Sequence, residues 1–456
     1  MPTRGSDVLR LARRLLSTEL PGIVVGFLGI MVVFWPGLLT PDSAWMLEQA
    51  RSGAINDWLG PIPIWLIRTL HVSGAEIFAA TTLAFLVVTA RLFRRRFSPL
   101  IAGAIAAAIS WSPPVLGWLS ALGRDTWFGI AALVGVLAVT SELPPGRIER
   151  LGRWTALGVA SIAALCSRQN AAPVVSGLLA VELFGLWSAY PRWRRLAWSA
   201  AGGVLTTVVM LGGISLVTSR IVHPVSTSPE QVTYVSDLAA ISLKTGDALV
   251  PPNVWYGTPD YERLAAVWDD DDGSAIYNVE NPPIHTVSSG IGALRRRWLA
   301  AIVDHPVRYV QRRATLVELQ LFESTERCDP FVPGMSGIFP GHTLAHPHRA
   351  DLVIGWEGTF WRMSGLRVWH LLLASLIAAW WLRRTDVARL AWTLQLVSWL
   401  AVASLVPTAA VCAYRFTWLS VAASLITIGL AVGSRHQLSF VLGSASRATE
   451  VTDDGE

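Results

Sequence analysis

The run Pro21-Gly22-Ile23-Val24-Val25-Gly26-Phe27-Leu28-Gly29-Ile30-Met31-Val32-Val33-Phe34-Trp35-Pro36-Gly37-Leu38-Leu39 leads into Thr40-Pro41-Asp42-Ser43-Ala44-Trp45-Met46-Leu47-Glu48-Gln49-Ala50-Arg51-Ser52-Gly53. The run is uncharged and close to the ~20 residues a helix needs to cross a bilayer. It is too long for a signal-peptide core and lacks a clear small-residue cleavage site, so it reads as a retained span. Asp42 then falls just past that span, on a short amphipathic helix. A membrane enzyme would place a general base there.

Composition agrees with a membrane reading. The chain has 456 residues, 52% hydrophobic and 15% charged, and a mean hydropathy of +0.45. A soluble chain carries nearer a quarter charged residues. The formal charge of +5 is unevenly spread. Residues 221–366 hold 17 acids and 11 bases, whereas the remainder holds 15 acids and 26 bases. The arginine excess reflects membrane topology, not nucleic-acid binding. Cys166, Cys328 and Cys412 form neither a disulfide framework nor a metal spacing, although a Cys328–Cys412 bridge stays open.

Further apolar segments follow at about 75–92, 98–117, 126–141, 154–167, 171–188, 197–219, 367–382, 389–407 and 416–433, with an interfacial helix over 61–71. Arginine clusters (Arg94 to Arg96, Arg147 to Arg153, Arg192 to Arg195, Arg383 and Arg384) lie on alternate loops. The opposite loops carry single arginines: Arg51, Arg124, Arg168 and Arg415. The pattern predicts an all-α polytopic membrane protein of about ten transmembrane helices with both termini cytoplasmic. Its divisions are residues 1–220 with spans one to seven, a mixed extracytoplasmic domain over 221–366, spans eight to ten over 367–433, and a cytoplasmic tail over 434–456.

A lone arginine at a membrane mouth costs a few kcal/mol unless it is paired or wetted. These four share a face with Asp42, Asp57 and Asp125, which predicts a charged cavity at the outer leaflet. An acid after the first span, an interfacial helix, Arg124-Asp125 at the mouth of the fourth span and a large outer domain before the last spans resemble the GT-C superfamily. These are integral-membrane glycosyltransferases that use polyprenyl-phosphate sugars, and the likeness is to bacterial members of uncharacterised or O-antigen-modifying type. Asp42, Gly53, Asp57 and Pro61 would form the first-loop motif, and Arg168-Gln169-Asn170 an element at the fifth turn. His305-Pro306-Val307-Arg308-Tyr309 would lie in the outer domain, and Tyr414-Arg415 before the last span. The chain departs from the pattern in having no histidine within Asp57-Trp58-Leu59-Gly60-Pro61.

The resemblance implies transfer of a sugar from a polyprenyl-phosphate donor to an envelope glycan, lipid or protein, at the outer face of the bacterial inner membrane. Such transfer needs a base, cations for the leaving phosphate and an apolar groove for the lipid. A partly desolvated carboxylate suits the base, and the arginine fork suits the phosphate. Asp42 is the expected base, with Asp125 and Asp57 as further catalytic candidates. Arg168, Arg415 and Arg124 are the phosphate candidates. Each also has a plainer reading. Asp42 and Asp57 could be helix caps, Asp125 could pair locally with Arg124, and Arg168 and Arg415 could reach for lipid headgroups. No nucleotide cofactor is expected, since no Gly-rich phosphate loop precedes a helix; a divalent metal stays open.

Other features read as ordinary. Asp269 to Asp272 lack the alternation of a calcium loop, and His342, His346 and His348 lack accompanying ligands. Ala293–Phe322 reads as an amphipathic helix pair resting on the outer leaflet. Asp237-Leu238-Ala239-Ala240-Ile241-Ser242 resembles a stretch of the bacterial relatives, without an assignable role. A transporter or flippase of lipid-linked sugars is the rival reading. It would share the cavity but would not need Asp42 as a base, and it should show repeats or broken helices. An enzyme-like scaffold without activity is a third.

Overall fold

The computed structural model describes residues 17–142, 146–187, 190–270, 272–287, 290–322, 344–409 and 417–433. The architecture is almost wholly helical. Helix α1 (Leu20–Phe34) ends where Trp35 precedes Pro36, because the proline ring disfavours helical geometry in the residue before it. A turn through Gly37 leads to β1 (Leu38–Leu39), then to α2 (Pro41–Ser52) and the interfacial-sized α3 (Pro61–Leu70). Helix α4 (Gly74–Phe93) starts on a reciprocal cap: Ser73 Oγ accepts from the Glu76 amide at 3.3 Å, and the Glu76 carboxylate accepts from the Ser73 amide at 2.7 Å.

Next come α5 (Pro99–Ser110), α6 (Pro113–Leu119), β2 (Ala121–Leu122), α7 (Arg124–Thr140), α8 (Arg147–Ser167) and α9 (Ala172–Leu186). Helix α10 (Arg192–Val217) continues through a wider turn to Val222. The segment expected as a single third span is a bent pair: α5 and α6 meet at 77°. The break falls at Ser112-Pro113-Pro114, where two prolines remove amide donors from a continuous ladder.

Helices α4, α10 and α18 (Ala388–Thr408) are long and apolar enough to cross a membrane, and the α5–α6 pair makes a fourth if it is one broken span. Helices α1, α9 and α19 (Trp418–Gly433) are apolar but shorter. The described residues therefore hold three or four such spans by length and composition, against an expectation of about ten. Early termination of α1 at its proline and the charged first turns of α8 (Arg147, Glu149, Arg150, Arg153) account for part of the difference.

The main core joins α1, α4, α5, α7, α9, α18 and α19. Helices α1 and α5 touch through glycines: a Cβ on Gly22 would lie 2.2 Å from the Gly103 carbonyl carbon, so neither position admits a side chain without separating the helices. Trp418 is fully buried, packs on Phe85 with ring centroids 5.5 Å apart, and donates from Nε1 to the Val115 carbonyl at 3.2 Å.

The inserted region contains α11 (Gln231–Thr245), α12 (Tyr261–Val267), α13 (Ala275–Asn278), α14 (Ile291–Asp304) and α15 (Pro306–Leu321). It has its own core, built on Val235, Leu238, Ile241, Val254, Ile276 and Ile284. Its described residues form only isolated bridges, so the expected mixed domain is helical. Helix α16 (Pro347–Ser364), also expected within that domain, packs instead on α1 and α6, and the Ala345 amide donates to the Trp35 carbonyl at 2.8 Å. Helix α17 (Val368–Trp381) leads into α18.

The expected leaflet-resting pair is a partner of this core. Arg312 and Arg313 on α15 are buried. Arg313 pairs with buried Asp237 and donates to the Ala409 carbonyl at 2.5 Å. Asp237 also accepts from Trp298 Nε1 at 2.8 Å. The Asp237 stretch thereby gains a role: it fastens α11 to α15 and both to the end of α18.

Candidate functional site

Two short strands build the site. β1 and β2 pair in parallel, Leu38 opposite Ala121 and Leu39 opposite Leu122, and the Leu38 amide donates to the Ser120 carbonyl at 2.9 Å. Each strand runs straight into a helix. Thr40 caps α2: its hydroxyl accepts from the Ser43 amide at 3.2 Å, while Ser43 Oγ accepts from the Thr40 amide at 2.9 Å. Gly123 holds the corresponding position before α7, without a side-chain cap. Asp42 and Asp125 therefore both occupy the second position of a helix whose start the ladder fixes. A carboxylate there is favoured by the positive end of the helix dipole. The cap of α2 is Thr40, so Asp42 is not the capping residue that Pro41-Asp42-Ser43 suggested.

A narrow cleft lies between these starts, lined by Asp42, Met46, Leu59, Trp118, Arg124 and Asp125 among others. Asp42 and Arg124 are partly exposed, their charged atoms 3.9 Å apart. Arg124 also donates from Nη1 to the Trp58 carbonyl at 3.0 Å, tying α7 to the first loop. Asp125 is 5% exposed and pairs with Arg168, at the end of α8. The ion pair of Asp125 is thus with an arginine 43 positions away. Two N–H groups at the cleft, Arg124 Nε and Trp118 Nε1, are buried without a hydrogen-bond partner. Such donors are costly to leave unmade, and an acceptor-rich ligand would satisfy them. Trp118 was not singled out from sequence; an indole in an apolar helix signals only burial.

The structure thus gathers Asp42, Arg124, Asp125 and Arg168. It sends Asp57 elsewhere. The Asp57 carboxylate accepts from the Thr227 amide at 2.6 Å, the Thr227 hydroxyl at 2.5 Å and the Ser226 hydroxyl at 3.1 Å. Asn56 bridges Val225 alongside. Asp57 is an anchor between the first loop and the inserted region, outside the cleft lining. Tyr414 and Arg415 lie outside the described residues, as do Cys328, Cys412 and His342. Asn170 donates to Ser404 Oγ at 3.1 Å, joining the start of α9 to α18. Among the described residues no group of three or more His, Cys, Asp or Glu is arranged to hold a metal ion. Comparison with protein-family models, curated proteins and solved structures finds no match to this chain.

Proposed function

We propose that this chain is a glycosyltransferase of the bacterial inner membrane. It would move a sugar from a polyprenyl-phosphate donor to an envelope glycan, lipid or protein at the outer face, within a GT-C-like frame of about ten spans. The observation that carries the reading is the cleft, in which a partly exposed carboxylate, Asp42, stands beside Arg124 and two unsatisfied N–H donors. In this scheme the acceptor hydroxyl oxygen bonds to the anomeric carbon and its proton passes to Asp42. The bond from that carbon to the phosphate oxygen breaks, and polyprenyl phosphate leaves with its charge met by Arg124 and Arg168. Asp125 holds the Arg168 fork in place.

One observation favours the rival, a transporter or flippase of lipid-linked sugars: the α5–α6 break at 77° is the kind of interrupted helix that transporters use at their sites. Lipid and glycan profiling separates the two. A deletion strain should lose one envelope sugar, and a strain carrying Asp42→Asn at normal expression should lose it too. Full rescue by Asp42→Asn would reject the enzyme and leave the transporter.

A further inference from the structure

A second site lies at the opposite end of the helices. Helices α9, α10 and α18 bound an apolar groove of about 1020 Å³. Its charged lining residues are Arg195 and Arg389, each near the first turn of its helix, beside Phe184 and Gly185 at the end of α9. All four mark the arginine-rich end of the molecule.

The arginines are held but not neutralised. Arg195 donates from Nε and Nη2 to the Phe184 carbonyl at 3.1 and 2.7 Å and stacks over the Phe184 ring. Arg389 is about half exposed and lies 3.9 Å from Glu182, whose carboxylate is already paired with buried Arg153. One carboxylate thus serves two guanidiniums. Arg95 adds further positive charge nearby; Glu142 is exposed, and Asp386 is engaged by Arg96 at 3.1 Å. One turn inward from Arg195, the Ser199 hydroxyl lines the groove, buried and without a hydrogen-bond partner.

Length selects the occupant. Lining residues run from Arg195 to Val204 on α10 and from Arg389 to Leu400 on α18. At 1.5 Å per residue these walls are ~14 and ~16 Å long, about half of a ~30 Å hydrocarbon core. Only α9 lines the groove further, to Ala172, and one turn beyond Leu400 the Asn170–Ser404 hydrogen bond crosses from α9 to α18. That crossing separates the groove from the Arg168 end.

We propose that this groove is a binding site for one acidic glycerophospholipid of the leaflet facing the arginine-rich ends. Its phosphate lies between Arg195 and Arg389, an ester oxygen accepts from Ser199, and one acyl chain fills the apolar walls. A long isoprenoid chain is disfavoured by the one-leaflet length of the α10 and α18 walls.

Native mass spectrometry of the detergent-purified, delipidated full chain tests this with phosphatidylglycerol and phosphatidylethanolamine. The wild type should prefer phosphatidylglycerol by roughly twenty-five-fold, about fivefold from each arginine acting on its net negative charge, which the ammonium of phosphatidylethanolamine offsets. Arg195→Gln with Arg389→Gln should reduce the preference to near unity. Ala180→Phe, which fills the groove, should weaken both lipids. An undiminished preference in the double variant would overturn the site, as would retention of a polyprenyl phosphate in place of the phospholipid. If the variants do not fold, photoreactive phosphatidylglycerol on the wild type decides. Adducts on α9, α10 and α18 near the arginines support the site, and adducts confined to other helices refute it.

Discussion

Asp42 and Asp125 are equivalent residues. Each stands three positions beyond the Leu39–Leu122 rung of the parallel ladder, and each is faced by an arginine, Arg124 or Arg168. The two carboxylates differ in burial: Asp42 is open to the cleft, and Asp125 is enclosed with its partner. The open one is suited to take a proton and the enclosed one to hold a cation.

Because Thr40 is the cap, base and cap can be tested separately. Asp42→Asn should leave thermal unfolding unchanged and lower turnover by ~100-fold or more, the range for loss of a general base. Thr40→Ala should cost about 1 kcal/mol of stability and change turnover less than tenfold. Near-normal transfer by Asp42→Asn would remove Asp42 from the chemistry.

Arg168→Lys keeps the charge and loses the two-pronged fork, so donor affinity should fall while the chain still folds. Arg168→Ala removes the ion-pair partner of buried Asp125 and should cost about 3–5 kcal/mol. Adding Asp125→Asn to Arg168→Ala should restore most of that stability without restoring transfer. Denaturation curves and donor-binding isotherms on the three variants check this, and unaltered donor binding by Arg168→Lys would count against phosphate contact.

Asp57→Ala removes the acceptor of the Ser226 and Thr227 hydrogen bonds and should cost about 2 kcal/mol locally. The expected readout is faster limited proteolysis near residues 223–230 with the helical core intact. A turnover loss matching that of Asp42→Asn, without added proteolysis, would return Asp57 to the catalytic group.

Arg313→Leu alone should destabilise the inserted region strongly, because buried Asp237 then loses its ion-pair partner. Asp237→Leu combined with Arg313→Leu should recover much of that loss, as measured by a double-mutant cycle. Strictly additive losses would mean that the pair does not act as a unit.

Orientation is tested by labelling. In a chain freed of its three cysteines, a thiol placed at Glu262 should react with an impermeant reagent in intact cells, and one at Ser446 should not. The reverse pattern would turn the cleft toward the cytoplasm.

Much of this was legible because the signals were local. Apolar runs located nearly every long helix, and the sequence placed Arg124, Asp125 and Arg168 at one mouth with Asp42. What failed depended on distance or on backbone chemistry. Hydropathy does not register Pro113-Pro114, so the third span read as straight. Arg312 and Arg313 looked like the polar face of a surface helix because Asp237 lies 76 positions before Arg313. Asp57 looked catalytic because its partners, Ser226 and Thr227, lie across eight helices and belong to a different region of the chain.

The ladder that aligns Asp42 with Asp125 is made of main-chain atoms, so its side chains are free to vary provided they remain apolar and fit. Valine or isoleucine at Leu38, Leu39, Ala121 or Leu122 would leave the two acids in register. A proline at Leu38 would not, since it deletes the one N–H that reaches Ser120. Related chains could therefore diverge widely in these four letters and still keep the spacing of their acids, which hides the most important alignment in the molecule from any comparison that scores side chains alone.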